Sequence, residues 1–251
     1  MAHAVTIDFH DTLFQCDDWF ELEVRELPLR YLGWRASQVD GRQSDFEADD
    51  VARRYRQLRR RAIDSGVEVD AVDCVVRVCG EIGVEVDRAD VERGVAVLMR
   101  EVLPTACPRP GAVELVRLLR ASGVKLGIIS NAIYHPYLEW SLQAHALLDQ
   151  FELILSSAMA GFYKSRVELY QIAATALGVQ PERIVHIGDS YLFDVVGASR
   201  AGMRTVWLNL NGADATDVAP DLEVRSLEGL APLLIETFKL TPAAAESGRA
   251  L

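Results

Sequence analysis

The chain has 251 residues, half of them apolar and a quarter charged, with a formal net charge of -11. That is ordinary globular composition, long enough for one large domain or for a core carrying a smaller one. So strong an acidic excess argues against nucleic acid or an anionic membrane as partner, although a local pocket can still be positive and take a phosphorylated substrate.

Met1-Ala2-His3-Ala4 has no basic stretch and runs straight into an apolar segment, so no signal peptide is expected. No apolar run approaches the roughly 18 residues needed to span a bilayer. Cys16, Cys74, Cys79 and Cys107 are scattered without a CxxC pair. Free thiols in a reducing cytoplasm are expected, and a zinc site is not.

In chain order, residues 4–9 form a short apolar run ending at a carboxylate, a buried strand by pattern. Residues 14–100 change character. They are rich in Arg, Glu, Asp and Leu with helical spacing, and they predict several helices broken near Gly33, Gly41, Gly66 and Gly83, with no strand. Asp17-Asp18 opens the first of these helices, where carboxylates favour the dipole. From residue 108 onward strands and helices alternate: helix 113–121, strand 124–130, helix 135–148, strand 151–156 and helix 167–177 closed by Gly178. There follow strand 183–188, helix 194–201 closed by Gly202, strands 205–208 and 222–225, and helix 227–238. Alternation of this kind predicts a doubly wound parallel sheet, an α/β fold with helices on both faces. The strand at 4–9 must join that sheet. Residues 1–13 and 101–240 are therefore expected to form the core, 14–100 an inserted helical cap, and 241–251 a flexible tail.

In an open parallel sheet, ligands bind beyond the carboxyl ends of the strands. Four such ends carry polar residues: Asp8-Phe9-His10-Asp11-Thr12, Ser130-Asn131, Gly161-Phe162-Tyr163-Lys164, and Gly188-Asp189-Ser190 with Asp194 beyond. Carboxylates, a hydroxyl and an ammonium together suit phosphoryl transfer. A carboxylate can attack phosphorus once anion repulsion is cancelled by a magnesium ion on hard oxygen ligands, a lysine and a hydroxyl donor.

With those four motifs in order over residues 4–13 and 104–226, the chain resembles the haloacid dehalogenase superfamily of hydrolases. Arg109-Pro110-Gly111 and Gly197-Ala198 before Ala201-Gly202-Met203 add to the likeness. The resemblance implies a Rossmann-like core with a helical cap of the first type. It implies a Mg2+-dependent phosphatase of a small phosphorylated metabolite, acting through an aspartyl-phosphate on Asp8. Asp8, His10, Ser130 and Lys164 would be catalytic. Thr12, Ser130, Asn131 and Lys164 would bind substrate. Asp8, the main-chain carbonyl of His10, Asp189 and Asp194 would hold the metal. A monomer or homodimer in the cytoplasm is expected.

One position departs from the pattern. Phosphatases of the superfamily carry Asp two residues after the nucleophile, as the acid/base; here that residue is His10. Imidazole titrates near neutrality and can take the role. Asp11, the next residue along, should point elsewhere. Loss of the acid/base leaves a weakly active or non-catalytic binding protein as the second reading. A metal-independent 2-haloacid dehalogenase, with Arg30 or Arg35 receiving halide or carboxylate, is the third. His186, inside an apolar strand, reads as a satisfied core histidine, and His135 as a helix-start residue. Trp19, Phe20, Trp34 and Tyr55 read as cap core, one or two of them able to line the substrate pocket.

Overall fold

In the computed structural model, which describes residues 1–38 and 46–242, the apolar opening run forms the wholly buried strand β1 (Ala4–Ile7). The remaining strands are β2 (Phe14–Gln15), β3 (Cys107–Pro108), β4 (Lys125–Ser130), β5 (Leu153–Ser156), β6 (Ile184–Gly188), β7 (Arg204–Leu208) and β8 (Leu222–Val224). Six of them make one sheet in the order β5-β4-β1-β6-β7-β8, and every pairing is parallel. β1 sits near the middle, between β4 and β6. The chain builds outward from it on one side through β5, then crosses to the other side. The carboxyl end of β1 is therefore the point where strand order reverses, the position at which open α/β sheets bind ligands.

Alternation along the strands feeds both faces. Val5, Ile7, Ile128 and Ile187 pack into the larger core with helices α6 (Ala112–Ala121), α7 (His135–Ala144) and α11 (Leu230–Phe238). Ala4, Ile129 and Ile184 pack into a second core with α9 (Val167–Leu177) and α10 (Ala198–Arg200), beside the single turn α8 (Ser157–Ala160). This is the doubly wound α/β arrangement expected from the sequence.

Between β2 and β3 runs an all-helical insertion: α1 (Asp17–Glu21), a π-helical turn at Leu22–Glu26, α2 (Leu27–Gln38), α3 (Ala48–Ser65), α4 (Ala71–Glu81) and α5 (Arg88–Val102). On α3 the buried positions are Val51, Tyr55, Arg59 and Ala62, a stripe at helical spacing that includes one arginine. Gly66 ends α3 at φ 71, and the Asp70 side chain caps α4 by accepting from the Asp73 N–H. The linker between these helices is stitched to the sheet domain. Glu68 N–H donates to the Gly161 carbonyl at 3.0 Å, and Tyr163 N–H to the Gly66 carbonyl at 3.0 Å.

Several boundaries differ from the sequence reading. Gly33 lies inside α2 and breaks nothing, while Gly41 and the tail beyond residue 242 lie outside the described residues. Phe14–Gln15 is a two-residue strand paired antiparallel with Cys107–Pro108, where the insertion leaves and rejoins the core. Helix α7 stops at Ala144, since Ala146 takes φ 54. The segment expected to be helical from 194 starts instead as a π-helical turn at Tyr191–Gly197. No helix among the described residues is long and apolar enough to cross a membrane.

Ile128, at 0% exposure in β4, makes no contribution to the cavity described below. Ile128→Ala should cost about 2–5 kcal/mol, read as a fall in the urea midpoint with an unchanged denaturant slope. A midpoint within error of the wild type would contradict the packing.

Candidate active site

Asp8 follows β1 directly, its N–H donating to the Ile187 carbonyl of β6 at 2.8 Å. After it the chain folds into a tight turn in which Leu13 and Phe14 both donate to the Phe9 carbonyl, and Asp11 takes φ 59. The turn aims Thr12 back at the sheet. Its hydroxyl lies 3.3 Å from Asp8 Oδ2 and 3.0 Å from Asp189 Oδ1, and it accepts from the Asp189 N–H at 3.0 Å. Ser130 ends β4. Its hydroxyl is buried, has no protein partner and lines the same cavity as Asp8.

Lys164 is reached from the loop after α8. Its N–H donates to Asn131 Oδ1 at 2.8 Å, so the side chain of Asn131 fixes the main chain that carries the lysine. The ammonium, 2% exposed, bonds Asp8 Oδ1 and, at 2.7 Å, Asp194 Oδ1. Asp194 is held on its other side. Oδ2 accepts from Ser190 N–H at 2.9 Å, and His186 Nε2 lies 3.1 Å from Oδ1. Gly188 makes room for this, because a Cβ there would overlap the Asp194 carboxylate. Asp8, Ser130, Asn131, Lys164, Asp189 and Asp194 are thus brought together at one cavity of about 190 Å³.

The charge balance of the cluster is uneven. Burial pushes the Asp8 carboxyl up, and the neighbouring Asp194 and Asp189 add to the shift against the pull of Lys164. Burial alone would raise Asp194 as well, but Lys164 and His186 hold it below the usual carboxylate range. Asp189 is raised to about 6 by burial and by Asp194. One ammonium cannot neutralise three carboxylates. Asp8, Asp189 and Asp194 each present an oxygen within 4.8 Å of the others, a hard-oxygen donor set that fits a divalent cation such as magnesium.

His10 lines the cavity with its imidazole stacked on Phe20, ring centroids 4.7 Å apart. Nδ1 lies 3.4 Å from Asp11 Oδ2, and Nε2 is buried without a partner. Burial lowers its pKa, which favours the neutral ring. Asp11 turns away from the cavity to Arg109, whose Nη2 donates to it at 2.9 Å.

The insertion supplies the opposite wall through Trp19, Phe20, Glu23 and Arg59. Trp34 and Tyr55 stay in the interior of the insertion instead. Glu23 and Arg59 were not singled out from the sequence. An acid and an arginine on helices with many charges carry no local signal, save that Arg59 falls on the Val51–Tyr55 stripe. Neither Arg30 nor Arg35 lines the cavity; Arg30 is exposed and pairs with Glu26 and Glu101. His135 starts α7, with Nδ1 3.1 Å from Ser156 Oγ. His186 is a satisfied core histidine, with Nδ1 2.9 Å from Thr6 Oγ1, but its second partner is Asp194 and it thereby positions the cluster.

Comparison with known proteins identifies the family and the fold. The family model of haloacid dehalogenase-like hydrolases matches residues 3–202. The chain is 32% identical over 130 residues to the pyrimidine 5'-nucleotidase YjjG of Escherichia coli (strain K12), a match covering 51% of this chain and 56% of that enzyme, about half its length. It is 26% identical over 249 residues to the (S)-2-haloacid dehalogenase of Pseudomonas sp. (strain YL), covering 98% of this chain and 95% of the other. The crystal structure of a 2-haloacid dehalogenase from Pseudomonas syringae pv. Tomato DC3000 superimposes with a TM-score of 0.73 at 21% identity, over 94% of this chain and 99% of that one, a likeness of fold.

Because Lys164 is buried between two carboxylates, Lys164→Met should destabilise by about 3–5 kcal/mol. Adding Asp8→Asn should recover part of the loss, and thermal unfolding of the three proteins measures both. Equal stability of Lys164→Met and wild type would show that the ammonium does not hold the cluster.

Proposed function

The chain belongs to the haloacid dehalogenase-like hydrolases, and from that premise we propose that it is a magnesium-dependent phosphatase of a small phosphorylated metabolite, with Asp8 as nucleophile. The observation that carries this reading is the pair Asp189 and Asp194 beside Asp8, an excess of carboxylate that calls for a divalent cation. The nucleotidase similarity supports it. Residues 14–100 serve as a cap that closes the cavity against water and contributes specificity.

Asp8, Asp189, Asp194 and the main-chain carbonyl of His10 would hold magnesium, which when bound neutralises phosphoryl oxygens and so permits attack by an anion. The carboxylate of Asp8 forms a bond to phosphorus as the bond to the leaving oxygen breaks and that oxygen takes a proton from protonated His10, giving an aspartyl-phosphate, the free alcohol and a neutral imidazole. Lys164 and the unpartnered hydroxyl of Ser130 stabilise charge on the phosphoryl oxygens, with Thr12 and Asn131 holding the loops that carry them. With Nδ1–H turned to Asp11, His10 Nε2 is left as an acceptor. It takes a proton from the water that attacks phosphorus in the second step, freeing phosphate and Asp8.

A dehalogenase reading has the full-length similarity in its favour. Against it, the only arginine lining the cavity among the described residues, Arg59, already has its charge paired with Glu68 at 2.6 Å, which leaves a single Nε–H and no unpaired positive charge for a halide or carboxylate.

Phosphate release from an aryl phosphate and from acetyl phosphate should require magnesium and vanish in Asp8→Asn. His10→Ala should lower kcat on the order of 10²-fold or more, and His10→Asp should restore it. Turnover of a 2-haloalkanoate without metal, and none of the phosphates, would overturn the phosphatase reading in favour of carbon–halogen chemistry. An unchanged kcat in His10→Ala would remove the histidine from the mechanism.

A further inference from the structure

The wall opposite Asp8 contains a second polar cluster that the proposed chemistry does not use. Glu23, on the π-helical turn, is 4% exposed and lines the cavity. One of its oxygens accepts from the Ile133 N–H at 3.2 Å; the other, Oε2, is buried with no partner. Arg59 lines the cavity beside it. Its Nη1 and Nη2 serve Glu68 at 2.6 and 3.5 Å, while its Nε is also buried without a partner. Glu68 is satisfied by Arg59, the Val69 N–H and the Ser157 hydroxyl. Nothing in the fold of the insertion requires Glu23 Oε2 and Arg59 Nε to be left open together. Burying polar groups without partners costs desolvation with no return, unless a ligand completes them.

We propose that Glu23, together with Arg59, is the specificity-determining element for the leaving group, selecting phosphate monoesters that carry a hydroxyl away from the phosphorus, as in polyol phosphates. A hydroxyl both accepts and donates. It can take the Arg59 Nε–H and bond Glu23 Oε2 at once, which a plain alkyl chain cannot. Burial pushes the Glu23 carboxyl up to about 8 against the pull of Arg59, and a hydroxyl is a partner for either protonation state, whereas an ammonium needs the ionised one. Trp19 and Phe20 flank the space and suit the carbon chain between the two polar ends. This inference rests on the phosphatase reading.

The test is a set of hydroxyalkyl, aminoalkyl and plain alkyl phosphates of matched chain lengths, with acetyl phosphate as the control for chemistry. Wild type, Glu23→Gln and Glu23→Leu are compared, each checked for folding by thermal unfolding. The wild type should favour hydroxyalkyl over alkyl phosphate by on the order of tenfold to a hundredfold in kcat/KM, most of it in KM. Glu23→Gln, which keeps an oxygen and a donor, should retain the preference within a few-fold. Glu23→Leu should bring the ratio to about one. A wild-type ratio near one with acetyl phosphate still hydrolysed, or a Glu23→Leu that slows all substrates equally, overturns the inference and leaves the phosphatase reading standing. A preference for aminoalkyl phosphate overturns the hydroxyl in favour of an ammonium. Release from none of them, acetyl phosphate included, overturns the phosphatase reading and this inference with it. Should Glu23→Leu not fold, the wild-type ratio and Glu23→Gln decide the matter alone.

Discussion

A single ammonium shared by two buried carboxylates, Lys164 between Asp8 and Asp194, organises the carboxyl edge of the sheet. Three charges removed from water are costly unless each is paired and hydrogen-bonded, and the surroundings are arranged to meet that condition. Asn131 holds the main chain of Lys164, His186 and the Ser190 N–H hold Asp194, and Thr12 bridges Asp8 to Asp189. These residues come from β1, β4, β6 and the loop before α9, so the cluster ties together strands on both sides of the point where strand order reverses.

The same arrangement leaves chemistry undone. Asp8 and Asp189 keep raised pKa values because burial and repulsion from Asp194 outweigh the help they receive. A carboxylate in that state can act as a nucleophile only when a further positive charge is supplied, which links the electrostatics of the folded chain to the proposed need for a divalent cation. His10, in the position where related phosphatases carry Asp, is wedged between Phe20 and Asp11. Its Nε2 is buried without a protein partner, so the position is filled by a titratable ring that lines the cavity.

The insertion is more than a cover. Its linker at residues 66–70 pairs with the 161–163 segment that leads into Lys164, and Ala71 N–H donates to the Ile133 carbonyl just past Ser130 and Asn131. The polar chain Arg59–Glu68–Ser157 continues that contact into the interior. The insertion is therefore joined by backbone hydrogen bonds to the loops carrying Ser130 and Lys164.

Much of this was legible along the chain. The strands at 124–130 and 183–188, the helix ending at Gly178 and the polar residues at four strand ends are local matters of apolar run, period and helix stop, and each fell close to its expected place. Residues separated by more than a hundred positions, Asp8 with Lys164 and Thr12 with Asp189, could be associated only because parallel strands place their carboxyl ends together. What the sequence determined by itself was the α/β architecture with its helical insertion and the chemical character of the strand ends, since these depend on periodicity and on residue type. Tertiary structure alone decided that Glu23 and Arg59 face the cavity, that Arg30 does not, that His186 supports Asp194 and that Asp11 serves Arg109. Which side of a helix meets a distant loop is set by packing between elements, and no spacing within one helix records it.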